Sequence, residues 1–506
     1  MNGIDHGPEG GTEVQRAAVP PGVWAPRLAQ QARLAELDAL LGQQPLDEAI
    51  ADLAIERAVL LGALNRDDDA KLAFVDILRQ MPTRFNALNE FGALLTKTGA
   101  ISAACRVYTE AILHHPDQPD AHINLGNLLL RAAKYDEARE HYDVALRLDP
   151  KNAQAHQGMG AVLSDLGERA RARVHFERGF KGCSISTLPY RGDKPPIQVL
   201  QLVAAGGGNV PTNTFLHDTI FRTSVIVTDF LDPSASLPPH HLIFNAIGDA
   251  DLCEGALKRA LRVIARADVP VLNHPAAVMK TGRISNAQRL AKLPGVVTAL
   301  TLSMRRDALA GSRGVAMVEA RGLSFPLLLR SPGYHTGRNF VMVPSAADLA
   351  AAAASLPGDE LLVMTYLDAR GPDGGARKYR VMMIGGELYP MHLAISPDWK
   401  VHYFTSAMAE NADHRAEEAA FLNDMPVVVG PKAMIALEAI RDALALDYAG
   451  VDFGLSADGE LLLFEANATM VINPPDADQR WVYRRKAIGA IVDAVVQLLR
   501  DTSQKR

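Results

Sequence analysis

The sequence predicts an α solenoid, all-α, followed by an α/β region, and three observations support this division. An alanine, an aromatic residue and a proline recur every 34 residues between residues 51 and 186, which is typical of stacked helical repeats. From about residue 196, short apolar runs alternate with amphipathic stretches, the pattern of α/β proteins. Residues 450–467 have the pattern of a β-hairpin that carries polar, oxygen-bearing side chains. A chain of 506 residues is long enough for two or three such domains.

Composition restricts the classes of partner. The net charge is −6 with acidic and basic residues interspersed, whereas nucleic-acid binding needs a concentrated basic surface. The three cysteines show neither a paired spacing nor a zinc pattern, which favours a reducing compartment. The first residues are polar and acidic, unlike a signal peptide, and no apolar run approaches the length of a membrane span. We therefore expect a soluble cytoplasmic protein with no nucleic-acid or membrane partner.

The N-terminal part divides into a tail and a repeat region. Residues 1–26 are rich in glycine and proline and lack apolar periodicity, so we predict that they are disordered. A helical pattern begins at Arg27 and becomes repetitive, which places the repeat region at residues 27–186. Its units lie near residues 51–84, 85–118, 119–152 and 153–186.

Four sets of residues keep the same register in these units. They are the alanines Ala70, Ala104, Ala138 and Ala172, the aromatic residues Phe74, Tyr108, Tyr142 and Phe176, the glycines Gly92, Gly126 and Gly160, and the prolines Pro82, Pro116 and Pro150. Small residues let two antiparallel helices approach, the aromatic ring fills the gap between them, and proline follows the end of the second helix. A period of 34 residues is that of tetratricopeptide repeats.

Stacked repeats of this kind form a curved solenoid whose concave face usually holds a peptide. Asn89, Lys97, Asn127 and Arg131 fall on the first helix of their units, at offsets that tend to face the concavity. We therefore expect a peptide or protein partner at this face. A solvated helix surface is the equally simple alternative for these four residues.

The α/β region begins after a linker, Leu188–Pro196. Strands are predicted at Ile197–Ala204, His241–Ile247 and Val269–Leu272, with an amphipathic helix at Glu254–Ala267. Three glycines, Gly206 to Gly208, follow the first strand. No further glycine stands at the spacing of a dinucleotide-binding loop, so they are interpreted as a tight exit from the strand rather than as a phosphate-binding loop.

The predicted hairpin at residues 450–467 contains the strongest chemical signal. Asp452 interrupts its first strand, and Glu465 and Asn467 end the second, where alternation points both to one face. Two carboxylates and an amide oxygen are hard ligands of the kind that Mg²⁺ takes together with nucleotide phosphates. The alternative is an ordinary solvated hairpin end. An Asp followed, after a turn, by Glu-x-Asn resembles the metal-binding strands of ATP-grasp ligases.

Further motifs are similar to the glutathione synthetase and ribosomal-protein glutamate ligase group of that family. They are Asn273-His274-Pro275, Arg283, Leu293-Pro294-Gly295-Val296, Phe325–Arg330 and the glycine-containing loop Ser331–Arg338. The resemblance covers about residues 196–500. It implies a linker and pre-ATP-grasp α/β subdomain at residues 187–300, and two α+β lobes at residues 301–506 that form the lid and the metal-binding part.

The resemblance also implies the roles of individual residues. Arg330 and the loop residues Gly333, His335 and Gly337 would contact the phosphates, and Tyr366 and Leu367 would form the hinge beside adenine. Lys378 is assigned to nucleotide binding as well. Arg380, Arg330 and Arg283 would stabilise the charge of the transferred phosphoryl group. The chain departs from the family at Arg283 and Arg330, where the family has lysine.

The activity implied by this resemblance is ATP-dependent ligation of a carboxylate to an amine through an acyl phosphate. ATP and Mg²⁺ would be required. Two Mg²⁺ ions are expected, and Mn²⁺ could replace them. The carboxylate and the amine remain unidentified. Two alternatives stay open: a kinase with the same fold that phosphorylates a hydroxyl group, and a repeat scaffold with an inactive ATP-binding domain. Trp399, Lys400 and His402 have functional side chains but belong to no motif.

Overall fold

The computed structural model describes residues 25–42, 46–334, 337–403 and 406–505. These residues form two compact units, one from the residues up to Pro116 with Arg191–Pro195, and the other from Asp117–Tyr190 with Pro196 onwards. Most of the predicted disordered segment, residues 1–24, lies outside the described residues. The first helix begins at Ala25, two residues earlier than predicted. Proline at position 26 is compatible with this start because the first turn of a helix needs no backbone N–H donor.

Helices follow one another in the described part of the chain from residue 25 to residue 179. The first unit contains α1 (Ala25–Leu41), α2 (Ala51–Ala63), α3 (Asp67–Gln80), α4 (Phe85–Lys97) and α5 (Ile101–His114). The second unit begins with α6 (Pro119–Arg131), α7 (Tyr135–Leu148), α8 (Ala153–Asp165) and α9 (Arg169–Gly179). The helices α3, α5 and α7 each end two residues before one of the repeated prolines, as the sequence predicts.

The predicted packing between the repeat helices is confirmed. A Cβ atom placed on Gly92 would lie 2.5 Å from the ring of Tyr108, and one placed on Gly160 would lie 2.6 Å from the ring of Phe176. Both distances are too short for a side chain, so glycine is required where the aromatic ring crosses the neighbouring helix. Tyr142 is fully buried in the same way, and its hydroxyl donates to Asn127 Oδ1 at 2.6 Å.

After α9 the elements alternate between strands and helices. In chain order they are β1 (Ile185–Thr187), β2 (Ile197–Val203), β3 (Phe221–Val227), β4 (Leu242–Asn245), α10 (Glu254–Ile264), β5 (Val271–Leu272), α11 (Pro275–Val278), α12 (Arg283–Leu290), β6 (Val296–Thr298), β7 (Thr301–Arg305), α13 (Gly311–Glu319), β8 (Leu327–Arg330), β9 (Phe340–Val343), α14 (Leu349–Ala354), β10 (Glu360–Thr365), β11 (Ala376–Ile384), β12 (Glu387–Ser396), α15 (Ala412–Asn423), α16 (Met425–Leu444), β13 (Tyr448–Leu455), β14 (Leu461–Asn467) and α17 (Arg485–Gln504).

The first sheet has the strand order β1-β3-β2-β4-β5, and all its pairs are parallel except β1 with β3. The sequence analysis missed β1 and β3, so the strand predicted second in this region is the fourth. The strand β3 starts Phe-Arg-Thr-Ser, and this polar run hides a strand whose Thr223 and Ser224 are nevertheless buried. The helix α10 covers the sheet through Leu257 and Ala260.

Two further sheets follow. The four-stranded sheet has the order β7-β10-β8-β9 and is antiparallel throughout. The five-stranded sheet has the order β12-β11-β13-β14-β6, and its β13–β14 pair is the hairpin that the sequence predicts. The helix α16 packs on the sheet that contains the β13–β14 hairpin. It bends at Gly430, whose φ of 79° is not helical. An α/β region therefore follows the helical repeats, as predicted.

The last two repeats pack against this α/β region within the second unit. Phe180 of the repeat end stacks on Phe230 with ring centroids 5.6 Å apart, and Phe176 lies 6.5 Å from the same ring. Ser164 Oγ donates to the carbonyl of Gly206 at 3.0 Å. The division between the two compact units consequently falls at residue 116, inside the repeat region.

Among the described residues, no single helix is long and apolar enough to cross a bilayer. The helices α15 and α16, bent by 65°, meet the length and composition requirement as a pair. Both helices bury apolar side chains, including Phe421 and Leu437, in the core of the second unit.

Candidate functional site

One cavity in the α/β region has a volume of about 510 Å³ and is called the main cavity below. Its walls come from β8, β10, β11, β13 and β14 and from residues 399–402. Most of the predicted site residues line it: Arg283, Arg330, Gly337, Tyr366, Leu367, Lys378, Arg380, Asp452 and Glu465. Apolar side chains such as Leu328, Met364 and Leu463 complete the walls.

Two predicted site residues are described but do not line this cavity, and a third is not described. Asn467 lies beside a smaller cavity of about 50 Å³, which also contacts Arg283 and Glu465. Gly333 is not among the lining residues of the main cavity, and His335 lies outside the described residues.

Three charged residues form a row across neighbouring strands. Arg380 on β11 is opposite Asp452 on β13, and Asp452 is opposite Glu465 on β14. Directly opposed residues place their side chains on the same face of a sheet, which explains why residues far apart in sequence meet at this wall. The strand register thus brings a cation and two carboxylates together.

Asp452 is almost completely buried and is held by two cations. Its oxygens accept hydrogen bonds from Arg380 Nε at 2.6 Å and Nη2 at 2.8 Å, and Lys378 Nζ lies 3.3 Å away. Burial by itself would raise the pKa of this carboxyl group, but the charges of Arg380 and Lys378 and the two hydrogen bonds hold the pKa far below its usual value. Asp452 is therefore ionised at any physiological pH.

Glu465 is more accessible and belongs to a second polar group. Its Oε1 accepts from Arg283 Nη2 at 2.8 Å and from Asn467 Nδ2 at 2.9 Å. Asn467 Oδ1 in turn accepts from the backbone N–H and the hydroxyl of Thr469 at 2.9 and 2.8 Å. The amide oxygen of Asn467 is thus already engaged in two hydrogen bonds.

The donor set fits a Mg²⁺ ion that is held mainly by phosphates and water. Asp452 and Glu465 supply hard carboxylate oxygens side by side at the wall of the main cavity, and Mg²⁺ sites of this type use only one or two protein carboxylates. Within the described residues, no group of three His, Cys, Asp or Glu side chains is arranged to hold a metal. A metal at this wall would have to share the carboxylates with Arg283, Lys378 and Arg380.

Arg330 ends β8 and points its guanidinium into the main cavity region. The group donates to the carbonyl of Tyr334 and lies 5.6 Å from the ring centre of Phe340. Burial and the nearby charge of Arg283 lower the pKa of Arg330 to about 10. An arginine keeps its proton under these conditions, whereas a lysine, which starts about two units lower, would approach neutrality.

The segment 399–402 contributes residues to which the sequence analysis assigned no role. Trp399, Lys400 and His402 all line the main cavity. Trp399 packs edge-on against Phe340 at 5.2 Å, and Lys400 Nζ donates to the carbonyl of Phe340 at 3.3 Å. Burial and the charge of Arg330 lower the pKa of Lys400. The signal available in the sequence was the density of such side chains after a hairpin, since no fixed spacing marks them.

The glycine-containing loop touches the helical repeats. A Cβ atom on Gly333 would lie 2.2 Å from Arg169 Nη2, and the hydroxyl of Tyr334 lies 3.0 Å from the Cβ position of Gly167. The Arg338 guanidinium lies between two rings, 5.3 Å from Tyr135 and 5.6 Å from Tyr334. The loop predicted to cover the phosphates therefore rests on α7 and on the start of α9.

Asn127 and Lys97, both predicted on the concave face, have partners inside the repeats. Asn127 accepts the hydroxyl proton of Tyr142, and Lys97 Nζ donates to Asp67 at 2.6 Å and to the carbonyl of Gly62 at 2.7 Å. Arg131 is exposed at the end of α6. Arg131 is thus the better probe of a partner-binding surface than Asn127 or Lys97.

Comparison with known proteins concerns the repeats. A tetratricopeptide repeat model matches residues 95–161. A crystal structure of MamA has a TM-score of 0.28 and 17% identity and covers 31% of this chain and 90% of that chain. MamA from Desulfovibrio magneticus RS-1 has a TM-score of 0.28 and 21% identity, over 32% and 89% of the two chains.

A tetratricopeptide repeat protein from Parabacteroides merdae ATCC 43184 has a TM-score of 0.28 and 16% identity, and covers 32% of this chain and 63% of that chain. No curated protein matches the chain. The family model and the repeated packing of glycine on aromatic rings agree in register, so the helical region consists of tetratricopeptide repeats.

Proposed function

We propose that this chain is an ATP-dependent carboxylate–amine ligase of the cytoplasm, whose repeats recruit a peptide or protein substrate. The proposal is carried by the row Arg380, Asp452 and Glu465 at the wall of a cavity of about 510 Å³. Tetratricopeptide repeats commonly act as protein-interaction scaffolds, which supports the recruiting role.

The main cavity suits a nucleotide in size and lining. Its apolar walls, including Leu328, Met364 and Leu463, suit a flat base, and Tyr366 and Leu367, which follow β10, line the same cavity. Arg330, Arg283 and Lys400 provide positive charge for the phosphates. Asp452 and Glu465, with Asn467 beside them, would hold Mg²⁺, which supplies further charge neutralisation when it is bound.

The proposed reaction has two steps. An oxygen of the substrate carboxylate attacks the γ-phosphorus of ATP, the bond to the bridging oxygen breaks, and ADP leaves with its electron pair. The amine nitrogen then attacks the acyl carbon, inorganic phosphate leaves, and the amine loses a proton. Arg380 and Arg330 would orient the phosphoryl group and stabilise its charge, so the protein contributes positioning and electrostatics.

The direct test is ADP release by the full chain with ATP, Mg²⁺ and panels of acids and amines, together with hydroxylamine trapping of the acyl phosphate. Glu465→Gln serves as the site variant, and turnover should fall by about three orders of magnitude because the variant removes one of the two carboxylates that would hold Mg²⁺ beside the phosphates. Circular dichroism checks its fold. Equal turnover in this variant would exclude the hairpin from the reaction.

A scaffold with an inactive ATP-binding domain is the second candidate. It is favoured by the engagement of both carboxylates with cations: Asp452 with Arg380 and Lys378, and Glu465 with Arg283. In that case ATP would bind with the same affinity with and without Mg²⁺, and no ADP would form with any acid and amine. A kinase, the remaining alternative, would phosphorylate an alcohol and yield no hydroxamate.

A further inference from the structure

A second cavity of about 250 Å³, called the side cavity, adjoins the main cavity. Lys378, Arg380, His402 and Asn473 line both, so the two share a wall that includes Arg380, the residue assigned to the transferred phosphoryl group. The remaining walls include the residues Met391, His392, Tyr403, Met408, Trp481 and Arg484. The side cavity therefore lies where a second reactant would meet the γ-phosphate.

Arg484 is a buried cation at the side cavity. Its side chain is 5% exposed, and its guanidinium lies 4.3 Å from the ring centre of Tyr403. Its charge is opposed by Glu418, which is fully buried, with Nε and Oε1 3.3 Å apart. Among the described residues neither of these two atoms has a hydrogen-bond partner, so the contact is an ion pair without hydrogen-bond geometry. Arg484 thus retains donor capacity for a ligand.

His392 is the second buried polar group at this wall. It is 4% exposed, it packs against Tyr403 at 4.8 Å, and its Nδ1 has no hydrogen-bond partner within the described part of the chain. Buried polar atoms are normally paired, so an unpaired one beside a cavity indicates a missing ligand or water. The imidazole stands directly opposite Arg380 in the strand register.

The lining favours a small anion with an apolar part. Lys378, Arg380 and Arg484 bring three positive charges to the walls, against the buried carboxylates of Asp452 and Glu418 and the exposed Asp476 at the edge. Tyr403, Trp481 and the two methionines offer apolar contact. The volume is below the roughly 300–1,000 Å³ of pockets for drug-sized ligands, which limits the ligand to about the size of an amino acid.

We propose that the side cavity binds a small free carboxylic acid and that this acid is the acyl donor of the proposed ligase. The inference rests on the proposed function and assigns its substrates: the acid enters the side cavity, and the partner held by the repeats supplies the amine. The carboxylate accepts hydrogen bonds from Arg484, and its reacting oxygen faces the phosphoryl group at Arg380.

Trp481 provides a direct readout of binding. The chain has three tryptophans, and the full chain with Trp24→Phe and Trp399→Phe keeps Trp481 alone. Succinate, L-glutamate and other free acids of comparable size are titrated, each beside its methyl ester. At least one acid should give a saturable change in emission, with its ester at least about tenfold weaker, because charge-assisted hydrogen bonds are lost.

Arg484→Gln should weaken binding of that acid by at least about tenfold relative to wild type. The affinity of this variant for ATP should differ from that of wild type by less than about twofold. Arg484→Lys keeps the charge and should recover part of the affinity. If Arg484→Gln also loses ATP binding, the variant is misfolded, and the comparison of acid with ester and the Arg484→Lys variant decide the question.

The inference is overturned if no free acid gives a saturable signal, if esters bind as well as acids, or if Arg484→Gln binds as tightly as wild type in a folded chain. Its failure is separable from failure of the ligase. Hydroxamate formed from a protein carboxyl group, without binding of any small acid, would keep the ligase and reject the side cavity. Binding of a small acid without binding of ATP would keep the side cavity as an acid site and reject the ligase.

Discussion

The repeats and the candidate site are built from contacts of very different range. In the repeats, the ring of Tyr108 packs on Gly92 and that of Phe176 on Gly160, and each pair is 16 residues apart. At the site, Arg283 contacts Glu465 across 182 residues, and Arg380 contacts Asp452 across 72. A repeat can thus be assembled from adjacent helices, whereas the site exists only once several sheets have formed.

The two regions also differ in how they treat charge. Ion pairs of the repeats, such as Arg79 with Asp76, are largely exposed and are worth about 0–1 kcal/mol each. The pair of Arg380 with Asp452 is buried, and losing one partner leaves an uncompensated charge in a low-dielectric environment. Substitutions of the paired charges at the site should therefore cost both activity and stability, whereas loss of one exposed ion pair of the repeats should change stability by at most about 1 kcal/mol.

Asp452→Asn is expected to have the largest effect. The substitution leaves Arg380 and Lys378 buried without their counter-charge, which should lower the free energy of unfolding by about 3–5 kcal/mol and turnover by at least about a thousandfold. Chemical denaturation and ADP release measure the two effects. Asp458→Asn, in the exposed turn of the same hairpin, is the matched control and should behave as wild type. A stable, active Asp452→Asn would remove the contrast between the two regions.

Tyr142→Ala tests the repeats with a comparable loss of stability and a different effect on activity. The ring is fully buried and its hydroxyl is bonded to Asn127, so truncation should cost about 3–5 kcal/mol. Because each repeat contacts mainly its neighbours, the Kd for ATP should change little in chains that remain folded. Thermal unfolding and ATP titration measure the outcome. An ATP affinity lowered as strongly as in Asp452→Asn would show that repeats and site are a single cooperative structure.

Arg330→Lys sharpens the electrostatic side of the comparison through pH. Burial disfavours the charged form of a side chain at this position, so a lysine here should have a pKa of roughly 8. A base whose pKa is lowered loses its positive charge as the pH rises through that pKa, and phosphate binding weakens in the same direction. The KM for ATP in the variant should rise about tenfold between about pH 7 and pH 9. Wild type should stay flat over this range, because its own pKa is about 10. A flat variant profile would mean that Arg330 does not contact the phosphates.

Arg338→Ala tests one of the contacts by which the glycine-containing loop packs on the repeats. Removing the guanidinium from between Tyr135 and Tyr334 loses two cation–π contacts and a hydrogen bond of 3.3 Å to the Tyr135 hydroxyl. The loss should be about 1–2 kcal/mol, seen as a rise of roughly 5- to 30-fold in the KM for ATP. The control is Arg139→Ala, because Arg139 lies on α7, the helix that carries Tyr135, and its side chain is partly exposed. Identical kinetics for Arg338→Ala and wild type would show that the contact does not influence the loop.

Sequence patterns alone determined several features of this protein. The phase of the repeats was readable because the same glycine, aromatic residue and proline recur where helices touch, and helical packing is a local contact. The hairpin of Asp452, Glu465 and Asn467 was readable because the strand pattern and the turn at residues 457–459 mark its two strands. Its register at the site was not readable, because a bulge between Asp452 and Phe453 is what places Glu465 opposite Asp452. The strand β3 was missed because its polar start does not show which residues the neighbouring strands cover.

Only the tertiary structure decided how the charges are paired and where the cavities lie. The spacing of Arg380 and Asp452 in the sequence does not predict their two hydrogen bonds. The next strand in the chain after β11 is β12, yet β13 lies on the other side of β11 in the sheet. The placement of Trp399 and Lys400 at the main cavity, and of His392 and Arg484 at the side cavity, has the same origin. Contacts between residues far apart in the sequence form only when the sheets assemble, and closing such loops costs conformational entropy. A local sequence pattern therefore does not reveal them.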